Sequence, residues 1–265
     1  MTSERSSYDD VPDFGLLYDS VPIYQQRPDV AFYVGEAVRS GGPVLEVGCG
    51  TGRILLPIAR AGCAVTGLDA SPSMLERCRE RLAAEPGEVR ARVALHHADA
   101  RGSDVGGRFG LVIAPFRVVQ HLVTIDDQLA FLDSAARHLE PGGRLVFDVF
   151  NPNFAALLAA DGTAHEDTPE QALPDGRRFR RSARVKRVRW VDQVSEVELL
   201  YDLAPGADEP FARHVQAFDM RWYLPAELTH LLARAGFRVA AIHGDMHGGA
   251  LSDTSPELVV FAGRA

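Results

Sequence analysis

The feature that most constrains this chain is a short run of residues at positions 44–53 that ends in a glycine-rich turn. The segment Val44–Val47 has the character of a buried strand, and glycines follow at positions 48, 50 and 52. Glycine allows sharp turns and close backbone approach, and the first N–H groups of the helix that follows have no partners within that helix. The pattern therefore predicts a strand, a tight turn and a helix start.

The spacing of these glycines separates two kinds of nucleotide-binding loop. Dinucleotide folds use G-x-G-x-x-G/A, in which the third small residue lets the helix pack close to the strand. Here Arg53 occupies that third position, and Glu46 lies two residues before Gly48. A carboxylate repels a diphosphate and attracts a cation. The spacing therefore favours a cationic ligand, and an NAD-dependent oxidoreductase remains an alternative.

Two further carboxylates follow the next two predicted strands. Asp69 closes the run Ala64–Leu68, and Asp99 follows Val93–His97. Open parallel sheets bind ligands at the carboxyl ends of their strands, and a carboxylate about 20 residues beyond the loop can accept hydrogen bonds from a ribose diol. We expect both to contact a ligand, although each could instead cap a loop or a helix.

Together, Glu46–Gly52, Asp69 and Asp99 resemble the motifs of class I S-adenosylmethionine-dependent methyltransferases. From Tyr18 to Arg264 the chain is similar to bacterial small-molecule methyltransferases of the domain 25 or type 11 kind. The resemblance implies S-adenosylmethionine (SAM) as cofactor and methyl transfer to an oxygen or nitrogen of a small-molecule acceptor. A SAM-binding protein of this fold without methyl transfer and an RNA methyltransferase remain alternatives.

Regular alternation of strands and helices from Val44 to Val149 predicts an α/β fold. We expect a Rossmann-like, doubly wound sheet of seven strands, whose last hairpin is antiparallel, with an inserted antiparallel β-sheet after the fifth strand. The predicted core strands are Val44–Val47, Ala64–Leu68, Val93–His97, Phe109–Ala114, Gly143–Val149, Phe237–Ile242 and Glu257–Ala262. The predicted core helices are Gly52–Ala61, Pro72–Ala84, Ile125–His138 and Pro225–Ala235.

The expected domains follow from this alternation and from the resemblance. Residues 1–40 form an N-terminal helical leader that acts as a lid, and the first seven of them are predicted to be disordered. Residues 41–152 and 223–265 form the SAM-binding core. Residues 153–222 form the inserted sheet, with strands at Arg178–Val191, Val194–Asp202 and Ala212–Trp222 and a turn at 205–208, and are expected to cover the substrate.

The resemblance also assigns residues to the cofactor site. In the leader, an aromatic residue and an arginine are expected to close over SAM, because an arginine suits the methionine carboxylate; packing of the tyrosine and a surface arginine are the alternatives. Between the loop glycines, Cys49 is expected to serve as a small residue. The cofactor-binding residues are predicted to be Tyr24, Arg27, Glu46, Gly48, Cys49, Gly50, Gly52, Asp69, Ala70, Met74, Asp99, Ala100, Ala114, Phe116 and Gln120.

Residues 114–122, after the fourth strand, are expected to lie beside the transferred methyl group. A hydroxyl acceptor gains from a general base, whereas an amine needs only a neutral lone pair. His121 is the candidate base because its ordinary pKa is near neutrality, and a purely structural role for it is the alternative. The residues expected to contact the acceptor are His243, Asp245, Trp222 and Arg117. A metal at His243–His247 is disfavoured because no third distant ligand is evident.

Charge and composition limit the classes of partner and the cellular settings expected for this chain. The formal net charge is −8, which disfavours a nucleic-acid partner, and the basic run 177–189 is expected to pair with Glu196, Glu198 and Asp202 on the next strand. The chain has three cysteines, which do not form a disulfide framework, and no apolar run long enough to span a bilayer. We expect a cytoplasmic protein without a secretory signal, and the sequence leaves a homodimer open.

Overall fold

The computed structural model describes Tyr8, residues 11–206 and residues 208–265. The segment predicted to be disordered, residues 1–7, lies outside the described residues, as does Ala207 in the predicted turn at 205–208. Within the described ranges, no helix combines the length and the apolar character needed to cross a bilayer.

Helices and strands alternate along most of the chain. The helices are α1 (Phe14–Ser20), α2 (Pro22–Gln25), α3 (Asp29–Ser40), α4 (Leu55–Arg60), α5 (Pro72–Ala83), α6 (Gly87–Arg90), α7 (Ile125–His138), α8 (Phe154–Leu158) and α9 (Pro225–Arg234). The strands are β1 (Val44–Val47), β2 (Val65–Asp69), β3 (Val93–His97), β4 (Phe109–Ala114), β5 (Leu139–Phe150), β6 (His165–Ala172), β7 (Arg178–Arg189), β8 (Val194–Ala204), β9 (Ala212–Arg221), β10 (Phe237–His243) and β11 (Glu257–Arg264).

Contacts within the chain divide it into two compact units. The core unit comprises Pro28–Pro152 and Trp222–Ala265. The inserted unit comprises Met1–Arg27 and Asn153–Arg221. Helix α3 therefore belongs to the core unit, although residues 28–40 were expected to be part of the leader. The lid role of the leader and of the inserted sheet stays a prediction.

The core unit contains a seven-stranded sheet in the order β10-β11-β5-β4-β1-β2-β3. Strands β3, β2, β1, β4 and β5 run parallel, and β11 pairs antiparallel with both β5 and β10. This order and the antiparallel final hairpin confirm the predicted fold class. The carboxyl ends of β1, β2 and β4 lie next to one another at one edge of the sheet.

One apolar cluster covers each face of this sheet. On one face, Leu45 and Val47 of β1 pack with residues of α7 and α9. On the other face, Val44 of β1 packs with residues of α3, α4 and α5. All four residues of β1 are buried, so this strand is covered by helices on both sides, as expected for a central parallel strand. Side chains alternate along a strand, which places Glu46 on the same face as Val44.

Local signals explain where the core helices begin. The side chain of Ser71 accepts a hydrogen bond from Met74 N at the start of α5, and Pro72 occupies the first turn. The side chain of Thr124 accepts one from Asp127 N at the start of α7. Each hydroxyl satisfies an N–H group that has no partner inside the helix, so both predicted helix starts are confirmed.

Two predicted core boundaries differ from the structure by three or more residues. The fifth strand begins at Leu139 rather than Gly143, because Leu139 already pairs with Phe109 before the register jumps to Leu111 and Arg144. The sequence Pro141–Gly143 therefore forms an irregularity within β5 rather than a separate turn. The helix after the glycine loop begins at Leu55 rather than Gly52, since the loop residues adopt non-helical conformations.

The inserted unit is built on a four-stranded antiparallel sheet in the order β6-β7-β8-β9. Strand β6 was not predicted, whereas β7, β8 and β9 were. The register of β7 with β8 places Arg180 opposite Asp202 and Arg184 opposite Glu198. Arg184 and Lys186 both donate to Glu198, and Arg180 and Arg213 both donate to Asp202. Ion pairs across the sheet thus engage much of the basic run 177–189.

Candidate cofactor site at the carboxyl edge of the core sheet

The glycine loop after β1 has a backbone that side chains would disrupt. Gly48, Gly50 and Gly52 have φ angles of 72°, 53° and 80°. A Cβ on Gly48 would lie 2.5 Å from Cγ2 of Val118, and one on Gly52 would lie 2.8 Å from Sγ of Cys78. The loop therefore requires glycine for its conformation and for its packing, and the segment after β4 packs directly against it.

Glu46 is a buried carboxylate at this edge. Its side chain is 2% exposed, and burial raises its pKa well above the usual value. Among the described residues, none donates a hydrogen bond to Oε2 of Glu46. A buried carboxylate that lacks a donor is costly unless a cation or a donor reaches it. This carboxylate fits the ammonium group of a ligand such as SAM.

Asp69, at the end of β2, holds the loop. Oδ2 of Asp69 accepts a hydrogen bond of 2.8 Å from Gly50 N, and Oδ1 accepts one of 2.9 Å from Ser71 N. A carboxylate oxygen can accept more than one hydrogen bond, so these contacts leave acceptor capacity for a ribose diol. Met74 is buried in α5, with its Cε 3.2 Å from the position of a Cβ on Gly50, and Ala70 is exposed.

Asp99 lies after β3 and pairs within its own loop. Its side chain accepts hydrogen bonds of 2.9 Å from both N and Nε of Arg101, and this arginine also reaches Asp127. The Arg101 guanidinium lowers the pKa of Asp99. These contacts match the loop-capping alternative, and an adenine contact would have to share this carboxylate with Arg101. Ala100, next to it, is partly buried.

Cys49 lies between the loop glycines and contacts a second thiol. Its side chain is 3% exposed, and its N–H donates to Leu68 O at 3.0 Å. A hydrogen bond with Cys78, together with burial, raises the pKa of Cys49. A thiol of high pKa is a poor nucleophile at neutral pH, which agrees with the interpretation of Cys49 as a small packing residue.

Arg53, the residue that replaces the third small position, forms a buried ion pair. Nη1 and Nη2 of Arg53 donate to Oδ1 and Oδ2 of Asp29, each at 2.7 Å. Asp29 is fully buried at the start of α3, and Arg53 is 7% exposed. The guanidinium carbon of Arg53 lies 5.1 Å from the centre of the Phe116 ring. The pair therefore links α3, the glycine loop and the segment after β4.

The segment after β4 contains two consecutive non-glycine residues in the left-handed region. Phe116 and Arg117 have φ angles of 55° and 70°. Such strain is retained where surrounding contacts over-determine the backbone, and it is common at functional sites. Phe116 N donates to Oδ1 of Asp148 at 2.8 Å. Nη2 of Arg117 lies 3.4 Å from Oε1 of Glu257, and Ala114 is buried at the end of the strand.

Gln120 and His121 follow in a short 3₁₀ helix, Val118–His121. Gln120 is fully buried, and its Oε1 accepts a hydrogen bond of 2.9 Å from Phe150 N, so this side chain holds β5. Burial lowers the pKa of His121 to about 4. The imidazole is therefore neutral at pH 7 and is a weaker base than an ordinary histidine.

The loop after β10 is organised by Asp245. Its Oδ1 accepts hydrogen bonds from His247 N at 2.7 Å and Gly249 N at 2.9 Å, and these bonds lower its pKa. The His243 ring packs against Phe261 with 5.0 Å between ring centres. In the part of the chain that the structure describes, histidine, cysteine, aspartate and glutamate side chains form no group of three that could hold a metal ion.

The remaining predicted residues are divided between the two units. Tyr24 and Arg27 belong to the inserted unit. There, Arg181 donates to the hydroxyl of Tyr24, and its guanidinium carbon lies 4.6 Å from the centre of the Tyr24 ring. Arg27 is partly buried. Trp222 belongs to the core unit and is 5% exposed.

The sequence interpretation missed three buried polar residues that hydrogen-bond to the candidate site or to each other, namely Asp29, Tyr33 and Asp148. Oη of Tyr33 donates to Oδ1 of Asp148 at 2.6 Å, and both residues are fully buried. One signal was available, since Asp148 interrupts an otherwise apolar strand run, Leu145–Val149. Its partner Tyr33 lies 115 positions away, and sequence spacing cannot identify such a pair.

Comparisons with known proteins agree with this geometry. A family model described as a methyltransferase domain matches residues 44–143. The chain is 28% identical over 240 residues to dTDP-3-amino-3,4,6-trideoxy-alpha-D-glucopyranose N,N-dimethyltransferase from Streptomyces venezuelae, covering 90% of this chain and 93% of the relative. It is 28% identical over 235 residues to the cypemycin N-terminal methyltransferase from Streptomyces sp, covering 89% of this chain and 88% of the relative. A ubiquinone biosynthesis O-methyltransferase from Chelativorans sp. is 32% identical over 148 residues, covering 53% of this chain and 54% of the relative.

Among solved structures, the CcbJ methyltransferase from Streptomyces caelestis superimposes with a TM-score of 0.77 at 26% identity, covering 98% of each chain. The similarity thus includes the core and the insertion after β5. Sequence relatives, a shared fold and the geometry of the glycine loop all indicate the same activity. The chain contains a methyltransferase domain, its relatives and structural neighbours are methyltransferases, and it is an S-adenosylmethionine-dependent methyltransferase.

Proposed function

We propose that this enzyme transfers a methyl group from SAM to an amino group of a small molecule, such as an amino sugar or another natural-product precursor. The observation that carries the proposal is how far the relatives align. The amino-sugar N,N-dimethyltransferase and the N-terminal methyltransferase match about nine-tenths of the chain, whereas the ubiquinone O-methyltransferase matches 53% of it. The inserted unit lies largely in the part shared with the enzymes that methylate nitrogen.

The chemistry of His121 supports a nitrogen acceptor. SAM supplies a methyl group on a sulfonium, which is already an activated leaving group. A neutral amine has its own lone pair for in-line attack, and its proton is lost after the new bond forms. A hydroxyl acceptor gains more from a base whose pKa is near the working pH. With a pKa of about 4, His121 is poorly matched to that task.

We further propose that Glu46, Gly48, Gly50, Gly52 and Asp69 hold SAM. The unsatisfied oxygen of Glu46 is suited to the ligand's ammonium group, the loop offers backbone at close range, and Asp69 retains capacity for a ribose diol. Around this set, Cys49, Ala70, Met74, Ala100, Ala114 and Phe116 are proposed to line the cofactor. Tyr24, Arg27, Asp99 and Gln120 are further proposed contacts. Of these, Tyr24, Asp99 and Gln120 also bind residues of this chain, namely Arg181, Arg101 and Phe150.

A matched pair of acceptors tests the proposed function. The purified protein is incubated with SAM and either a dTDP-linked 3-amino sugar or the same sugar nucleotide with a hydroxyl at that position. A peptide with a free N-terminus is assayed beside its N-acetylated form. We expect S-adenosylhomocysteine and methylated product only with free amines, measured by mass spectrometry. Methylation of the hydroxyl sugar alone would refute the nitrogen assignment.

A further inference from the structure

Two fully buried residues behind the candidate site, Tyr33 and Asp148, form a hydrogen-bonded pair that reaches the segment after β4. Oδ1 of Asp148 accepts a hydrogen bond of 2.6 Å from Oη of Tyr33 and one of 2.8 Å from Phe116 N. Tyr33 lies on α3 and Asp148 on β5, so one carboxylate oxygen joins a helix, a strand and the turn. Burial and the neighbouring Asp148 carboxylate raise the pKa of Tyr33, so its hydroxyl stays protonated as a donor.

The turn that this pair contacts is strained. Phe116 and Arg117 both adopt positive φ, which costs free energy for residues other than glycine. The hydrogen bond of 2.8 Å from Phe116 N to Oδ1 of Asp148 restrains the backbone of this turn directly. Because Asp148 is held in turn by Tyr33, the carboxylate cannot move away from the turn without breaking a second hydrogen bond.

Helix α3 restrains the same turn through a second set of contacts, made by Asp29 and Arg53. Asp29 and Tyr33 are four residues apart and therefore lie on one face of the helix. Asp29 binds Arg53 with both oxygens, and the Arg53 guanidinium carbon lies 5.1 Å from the centre of the Phe116 ring. One face of α3 thus restrains both the backbone and the ring of Phe116.

The turn also packs against the glycine loop. A Cβ on Gly48 would lie 2.5 Å from Cγ2 of Val118, two residues after Phe116. Any shift of the turn therefore changes the surface that the glycine loop and the turn present together. A site whose walls are ordered before binding loses less conformational entropy when the ligand binds.

We propose that Tyr33 and Asp148 are positioning residues, which hold the strained Phe116–Arg117 turn against the glycine loop and so preorganise the SAM site. This inference rests on the proposed cofactor contacts of the loop. Neither residue is proposed to touch the ligand. Their effect passes through the backbone N–H of Phe116.

The test compares two tyrosines that are equally buried. Tyr33→Phe removes the donor to Asp148, whereas Tyr201→Phe removes a fully buried hydroxyl of the inserted unit that lies 3.4 Å from Nη1 of Arg181. Asp148→Asn, which keeps an acceptor oxygen without the charge, is the second variant. Hydrogen exchange of residues 114–121 is measured by mass spectrometry, the SAM dissociation constant by calorimetry, and the melting temperature of each variant by its thermal unfolding.

We expect exchange in 114–121 and the SAM dissociation constant to rise about tenfold in Tyr33→Phe, because binding must then order the turn. Asp148→Asn should show an intermediate change. Tyr201→Phe should lower the melting temperature without either effect. Unchanged exchange in Tyr33→Phe, or equal effects in the two tyrosine variants, would overturn the proposal. If the wild-type protein binds no SAM, the cofactor assignment fails, and the exchange comparison still decides whether Tyr33 orders the turn.

Discussion

Arg53 and Asp29 face each other in a buried, two-pronged ion pair, with both N···O distances at 2.7 Å. Arg53 occupies the position where a dinucleotide-binding loop has a small residue. The long side chain is accommodated because it points to Asp29, the first residue of α3. The residue at this position therefore anchors a helix, where a dinucleotide-binding loop uses a small residue for close helix–strand packing.

Replacing Arg53 by methionine should be strongly destabilising. The substitution leaves Asp29 buried without its charge partner, and breaking such a pair typically costs roughly 3–5 kcal/mol. Urea unfolding measures the loss. Arg79→Met, which removes a surface arginine paired with Glu76, is the control and should stay within about 1 kcal/mol of wild type. The double variant Arg53→Met with Asp29→Leu should recover much of the loss, and no recovery would contradict the buried-charge explanation.

SAM binding should release protons from Glu46. Burial raises the pKa of this carboxyl in the free protein, and a cationic ligand beside it would lower the pKa again. SAM affinity should therefore fall as the pH falls through the raised pKa. Calorimetry in buffers of different ionisation enthalpy measures the proton release, which Glu46→Gln should abolish.

The control for this proton release is Glu36→Gln. Glu36 is also buried in the core unit, 4% exposed, but Arg39 and Arg144 pair with it. Proton release should persist in this variant. Equal release from wild type and Glu46→Gln would show that the ligand's cation does not reach Glu46.

The sequence predicted the parts of the fold and site that depend on local patterns. Gly48, Gly50 and Gly52 have the positive φ that their spacing implied, and Asp69 lies at the end of β2 beside the loop. Apolar strands that alternate with helices predicted a doubly wound sheet, because crossover connections allow few topologies. These features need only a residue's near neighbours in sequence.

The features that sequence could not supply depend on distant partners. Strand β6 has the polar sequence of His165–Ala172, with Pro169 near an irregularity, and it forms by pairing at the edge of the inserted sheet. Asp99 carries the residue type expected for a ligand contact, but Arg101 binds it. The Tyr33–Asp148 pair joins positions 115 residues apart, so no periodicity indicates it.

Adding one methyl group at Gly48 should damage the loop in two separable ways. Gly48→Ala forces an L-residue to φ 72°, which costs about 1–2 kcal/mol, and brings its Cβ to 2.5 Å from Val118 Cγ2. The companion substitution Val118→Ala removes the close contact with Cγ2 but leaves the unfavourable φ. Urea unfolding of both single variants and the double variant should show coupling of about 1 kcal/mol. Strict additivity would mean that the loop relaxes away from Val118.

Removing the Asp69 carboxylate should weaken SAM binding by roughly 1–3 kcal/mol if it pairs with the ribose and holds Gly50 N. Calorimetry with Asp69→Ala measures the change, and a urea curve reports the accompanying loss of stability. Asp133→Ala is the control, because its side chain is 70% exposed on α7. Unchanged affinity in Asp69→Ala would reject Asp69 as a cofactor residue.

His121 should make the folded protein sensitive to acid. Its pKa of about 4 lies below the usual value of 6.5, so between these values the unfolded chain binds more protons than the folded one. Stability from this group is therefore complete above pH 6.5 and is lost as the pH falls towards 4. The linkage predicts a loss of about 2 kcal/mol between pH 7 and pH 5. In His121→Asn the loss of unfolding free energy between pH 7 and pH 5 should be about 2 kcal/mol smaller than in wild type. His247→Asn, at an exposed site, is the control and should lose as much unfolding free energy as wild type over this interval. Identical pH slopes for wild type and His121→Asn would contradict the neutral state of this imidazole.

The His121→Asn variant also tests the role of this residue in catalysis. If His121 were the general base for a hydroxyl acceptor, the variant would lose turnover. For the proposed amine acceptor, we expect methylation at a rate within a few-fold of wild type.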